Sequence, residues 1–180
     1  NAKSNMNIIY LHGLASSGQS NTAKKLRELL PDDNVVTPDI PVCPIEALQL
    51  LLSLAGEYRT DDTIVVGTSM GAMYACQMKG YRRILVNPAF HVSGLLKMEA
   101  NLFYVDDMNP EGVIGLFGGA DEVCDCRDEY REHYSYWSTF PGGHRLNEDV
   151  IKNIIIPVIN WMRRLDHTSG RIFPLGSIHL

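Results

Sequence analysis

Short, continuous apolar runs recur along the chain at residues 8–11, 35–36, 64–66, 84–86 and 113–117, each separated from the next by a segment long enough for a helix. A strand with one wet face alternates apolar and polar residues, whereas an unbroken run is apolar toward both faces of its sheet. The intervening segments, at 20–30, 45–58, 70–79, 92–100 and 127–134, have helical composition. The pattern predicts an α/β fold with a mostly parallel central sheet flanked by helices on both faces. Tyr136-Trp137-Ser138-Thr139-Phe140 reads as a last strand. Residues 147–165 read as a closing helix, apolar at Val150, Ile151, Ile154, Ile155, Val158, Ile159 and Met162, with Pro157 expected to kink or interrupt it. One domain over 6–165 accounts for the pattern. The tail 166–180 contains Gly170, Pro174 and Gly176 without a period and is expected to be extended or disordered.

Within this frame one pentapeptide carries chemistry. Gly67-Thr68-Ser69-Met70-Gly71 follows the run Ile64-Val65-Val66 directly and opens a helical segment. A G-x-S-x-G sequence between strand and helix forms a sharp turn that exposes a serine at the carboxyl edge of the sheet, with Gly67 and Gly71 removing side chains that would collide. Ser69 is the candidate nucleophile.

A serine hydroxyl needs a base within hydrogen-bond reach and an acid to orient that base. Of six histidines, His144 follows the last strand on the glycine-rich approach Pro141-Gly142-Gly143, whereas His133 lies within a helix and His167 and His179 lie in the tail. On sheets of this kind the order along the chain is serine, acid, histidine, which places the base at His144. Asp121, just past the strand ending at Phe117, is the expected acid; Glu122 and Asp125 are rivals within one turn, while Asp106 and Asp107 precede the strand. The competing reading is an aspartate that caps a helix. Two backbone N–H groups would receive an oxyanion, those of Met70 and of Leu14 in the loop after the first strand, with His12 and Gly13 supporting that loop.

Other chemistries fit less well. With a net charge of −5 in 180 residues and Lys and Arg scattered singly, the chain has no basic stripe for nucleic acid. No apolar run approaches the roughly 20 residues of a membrane-spanning helix, and a cytoplasmic location is expected. No Gly-rich phosphate motif follows the first strand. Four cysteines are too few for a disulfide framework. Cys124-x-Cys126 with His133 and His144 could suggest zinc, but the spacing is too tight for the usual paired sites, so neither metal nor cofactor is expected. The oligomeric state is open.

The segments Ile8-Ile9-Tyr10-Leu11-His12-Gly13-Leu14-Ala15-Ser16-Ser17, Gly67-Thr68-Ser69-Met70-Gly71, Val86-Asn87-Pro88-Ala89, Gly119-Ala120-Asp121-Glu122-Val123 and Gly142-Gly143-His144 resemble, in that order, the small bacterial YqiA-like esterases of the α/β-hydrolase superfamily. The resemblance implies a minimal α/β-hydrolase core without a large lid, and a serine esterase acting on carboxylic esters with Ser69, Asp121 and His144 as its triad. Small size leaves little chain for a cap, so a shallow pocket and short-chain esters are expected. A thioesterase or acyltransferase would use the same three residues, and a hydrolase fold kept as a binding protein would leave them idle. Thr68, Met70 and Arg145 depart from residues common among the relatives, which bears on the substrate rather than on the triad.

Overall fold

The computed structural model describes residues 5–90 and 112–165. Among the described residues six strands, β1 (Asn7–Leu11), β2 (Asn34–Val36), β3 (Thr63–Thr68), β4 (Arg82–Val86), β5 (Val113–Gly118) and β6 (Trp137–Phe140), form one sheet in the order β2-β1-β3-β4-β5-β6. Every adjacent pair is parallel. All residues of β4 and β5 are buried, as the unbroken apolar runs require.

Successive side chains along each strand feed two separate cores. Ile8, Tyr10, Ile64, Val66, Ile84, Val86, Ile114 and Leu116 point to one face, where they meet Ala23 and Leu26 of α1 (Asn21–Leu29) and the closing helix. Ile9, Leu11, Val65, Leu85, Val113 and Phe117 point to the other. That second core takes Ala47, Leu51 and Leu54 from α2 (Pro44–Glu57), most of α3 (Met70–Ala75) and Tyr130 from α4 (Arg127–His133). Two apolar layers therefore clamp the strands from both sides. Gly115 leaves the gap that Tyr130 fills, since a Cβ there would lie 2.7 Å from the Tyr130 ring.

The closing helix comprises α5 (Glu148–Val150), a π-helical stretch (Ile151–Ile155) and α6 (Ile156–Arg163). Asn147 caps it, its side-chain oxygen accepting from the Val150 N–H at 2.9 Å. Pro157 does not interrupt it. A proline removes one donor and crowds the carbonyl four residues earlier, and the wider π-helical turn just ahead, with the Ile156 N–H bonded to the Ile151 carbonyl, accommodates the ring while the backbone stays helical. The third helix is shorter than its composition suggests, ending at Ala75 before a series of tight turns. The helix expected at 92–100, Asp106 and Asp107, and the tail from 166 lie outside the described residues. Among the described residues no helix is long and apolar enough to cross a membrane.

Candidate active site

Because all strands run the same way, their carboxyl ends share one edge, and the loops there converge. Register aligns Leu11 with Gly67, Thr68 with Val86, Val86 with Leu116 and Gly118 with Phe140. Ser69, Asp121 and His144 leave this edge from β3, β5 and β6 respectively.

Ser69 has φ 56° and ψ −119°, a conformation rare for a residue with a Cβ. It is held there by its own N–H donating to the Val86 carbonyl at 2.9 Å and by its carbonyl accepting from Ala72 and Ala89 at 3.1 Å each. The flanking glycines are sterically required. A Cβ on Gly71 would lie 1.9 Å from the Leu11 carbonyl oxygen, and one on Gly67 would lie 2.5 Å from the Gly71 oxygen. Met70, the first residue of α3, follows, and the leading N–H groups of a helix have no intrahelical acceptor.

The structure brings Ser69 and His144 together across 75 positions of sequence: Ser69 Oγ lies 3.0 Å from His144 Nε2. His144 Nδ1 lies 2.9 Å from Asp121 Oδ2. A carboxylate only accepts, so the imidazole carries its proton on Nδ1 and leaves Nε2 to accept from the serine hydroxyl. Asp121 is nearly buried, with 3% of its side chain exposed. Its second oxygen, Oδ1, accepts from the N–H groups of Val123 and Cys124, both at 2.9 Å, which closes a local turn and caps no helix, since the next helix begins at Arg127 with Cys126 as its N-cap. The rivals sit elsewhere. Asp125 is paired with Arg127, whose hydrogen bonds hold its carboxyl below the usual range, and Glu122 is exposed.

The loop after β1 lies against the serine. A Cβ on Gly13 would be 3.4 Å from the Ser69 Cβ. The Ser16 N–H donates to the Gly13 carbonyl at 3.2 Å and Ala15 has φ 59°, so residues 13–16 form a tight turn with Leu14 at its corner. His12 fixes this loop: buried at 3% exposure, it accepts the Ile40 N–H on Nε2 at 2.9 Å and donates from Nδ1 to the Gly13 carbonyl at 2.7 Å. Both ring nitrogens are thus committed to backbone.

A cavity of about 620 Å³ opens over Ser69 and His144. Leu14, Ala15, Ala89, Val123 and Leu146 give it apolar wall. Tyr10, Ser16, Thr22 and Thr68 contribute hydroxyls, Tyr10 and Thr68 meeting at 3.0 Å, and Arg145 also lines it. Nothing in the sequence marks this polar wall, since Tyr10 reads as an ordinary apolar strand residue. Cys124 and Cys126 place their sulfurs 2.8 Å apart beneath the Asp121 loop. The His144 nitrogens are engaged by Ser69 and Asp121, and among the described residues no group of three or more His, Cys, Asp or Glu is placed to hold a metal ion.

The profile of UPF0227, described as an uncharacterised protein family and identified with the YqiA family, matches residues 7–102, more than half of the chain. The chain belongs to this family. The UPF0227 match takes in the loop after β1 and the serine turn, and ends before Asp121 and His144. Among solved structures, the ydeN gene product from B. subtilis superposes with a TM-score of 0.66 at 16% identity, covering 87% of this chain and 98% of that one. Est1E from Butyrivibrio proteoclasticus, solved with ferulic acid bound, gives 0.65 at 12% identity over 90% of this chain and 94% of that one. The S-formylglutathione hydrolase FrmB from Staphylococcus aureus gives 0.59 at 16% identity over 91% and 83%. At such identities the likeness shows the fold, and this UPF0227 chain has the α/β-hydrolase fold.

Proposed function

We propose that this chain is a serine esterase that hydrolyses short-chain carboxylic esters through an acyl-Ser69 intermediate. The observation that carries the reading is the unbroken relay from Ser69 Oγ to His144 Nε2 at 3.0 Å and from His144 Nδ1 to Asp121 Oδ2 at 2.9 Å, built from three separate loops. His144 takes the hydroxyl proton as Ser69 Oγ attacks the ester carbonyl. Asp121 keeps the imidazole in the required tautomer and stabilises the imidazolium as it forms. The Met70 and Leu14 N–H groups receive the oxyanion, each worth on the order of 10²- to 10³-fold in rate. As the tetrahedral intermediate collapses, His144 gives the proton to the departing alcohol. Water activated on the same nitrogen then cleaves the acyl-serine and restores the hydroxyl.

The neighbours named above include a protein solved with ferulic acid bound and an S-formylglutathione hydrolase, which supports acyl transfer as the kind of reaction. The cavity admits a small acyl group together with its alcohol. The test is hydrolysis of p-nitrophenyl butyrate by wild type and Ser69→Ala. A fall in kcat of at least about 10⁴-fold in the variant is expected. Undiminished turnover in Ser69→Ala would falsify the proposal, as would failure of a fluorophosphonate to label Ser69 in the folded wild type.

A further inference from the structure

Asn87 follows β4 directly, is only 2% exposed and has φ 44°. Its side-chain amide reaches three places at once. Nδ2 donates to the Gly143 carbonyl at 3.1 Å and to the His144 carbonyl at 3.0 Å. Oδ1 accepts from the Gly118 N–H, the last residue of β5, at 2.8 Å. The Asn87 backbone N–H donates to the Leu116 carbonyl at 2.8 Å, so the residue is locked to β5 by both main chain and side chain. Both amide donors and one acceptor position are used, close to the full capacity of the group.

We infer that Asn87 is a positioning residue for His144, acting through the histidine's main chain rather than on substrate; the inference rests on the proposed esterase chemistry. The loop that carries His144 is glycine-rich, and nothing in residues such as Gly142 and Gly143 gives it stiffness of its own. Its fixed points come from outside. The Ala120 N–H holds the Gly142 carbonyl at 2.9 Å, and Asn87 holds the next two carbonyls, including that of the histidine itself. The loop also lies flush on the end of β5, where a Cβ on Gly118 would be 2.5 Å from the Gly143 oxygen. Asn87 thus references the base to the same two strands, β4 and β5, that hold Ser69 through Val86 and that lead into Asp121.

The residue type fits the task narrowly. A side chain at this point must donate twice and accept once in a buried place, and its backbone must accept a left-handed conformation, which asparagine tolerates better than other residues with a branched or long side chain. Aspartate has the shape and the acceptor but no donors when ionised, and it would set a carboxylate oxygen against two carbonyl oxygens. Glycine keeps the backbone conformation and removes the amide.

Asn87→Gly and Asn87→Asp, both compared with wild type on p-nitrophenyl butyrate, test this. Loss of about an ångström of precision in a catalytic group costs on the order of 10²-fold in rate. The expected result for each folded variant is a kcat lower by about 10²-fold with KM within about threefold, and fluorophosphonate labelling of Ser69 slowed in parallel. A purely structural role predicts instead that loss of activity follows the unfolded fraction seen by circular dichroism, with kcat per folded molecule unchanged. A folded variant keeping kcat within threefold overturns the inference even though Ser69→Ala is dead. Should glycine prevent folding, the isosteric aspartate decides; if neither variant folds, Asn87 is a folding determinant and the inference falls. A wild type without Ser69-dependent turnover removes the esterase reading and this inference together.

Discussion

The backbone at Ser69 predicts that replacing the serine by glycine stabilises the fold relative to replacing it by alanine. With φ 56° and ψ −119°, Ser69 sits in a region that costs a residue bearing a Cβ about 1–3 kcal/mol. Alanine keeps that cost and glycine removes it. Glycine also gives the unfolded chain more freedom, which costs about 0.5–1 kcal/mol. Both variants lose the same hydrogen bond from Oγ to His144, so that contribution cancels in the comparison. Taking the middle of each range, the net expectation is that Ser69→Gly exceeds Ser69→Ala by about 1 kcal/mol. For a chain of this size the difference is about 2–4 °C in Tm. Urea unfolding followed by far-ultraviolet circular dichroism, with a thermal scan of each variant, measures it, and both variants should be inactive. A glycine variant no more stable than the alanine variant would refute the reasoning, showing that the surrounding hydrogen bonds had relaxed the turn.

Gly71→Ala should destabilise by at least about 3 kcal/mol in thermal unfolding, because the added Cβ meets main chain on three sides, the Leu11 carbonyl oxygen and carbon at 1.9 and 2.4 Å and the His12 oxygen at 2.6 Å. Gly56→Ala, in α2 with no heavy atom within 4 Å of the new Cβ, should stabilise by up to about 1 kcal/mol. Burial pushes the Cys76 thiol from 9.0 up to about 11. Between those values the native state keeps a proton that the unfolded chain has lost, so this thiol's contribution is intact below pH 9 and disappears as pH rises toward 11. The loss is about 1.4 kcal/mol per pH unit. Urea unfolding at pH 8, 9, 10 and 11 should show wild type falling more steeply than Cys76→Ala; identical slopes would contradict it.

The strand positions were legible because a doubly covered parallel sheet leaves unbroken apolar runs: β1 to β5 lie where the five runs stand, and β6 lies in the segment 136–140 read as the last strand. The serine turn was legible because its steric demands fall on adjacent residues, Gly67 and Gly71. The meeting of Ser69, His144 and Asp121 could be anticipated only from chain order and strand ends, since each contact spans many residues. Asn87 was harder to read. Asn-Pro after a strand looks like a turn, and the amide's partners lie 31, 56 and 57 positions away with no local signature. His12 was expected to support its loop, but its acceptance of the Ile40 N–H depends on a segment 28 positions off. The π-helical stretch at Ile151–Ile155 also escaped, because proline in an apolar helical pattern signals trouble without saying how the chain resolves it.

His144 hangs from a rim of the sheet. Among the described residues, β6 has four residues and a neighbour on one side only, whereas β3, which leads into Ser69, is flanked on both. Rim strands open locally at lower free energy than central ones. Under the proposed chemistry, rising denaturant should therefore extinguish hydrolysis before the bulk of the sheet gives way, making turnover an early reporter of fraying at that border while the nucleophile's own scaffold is still intact.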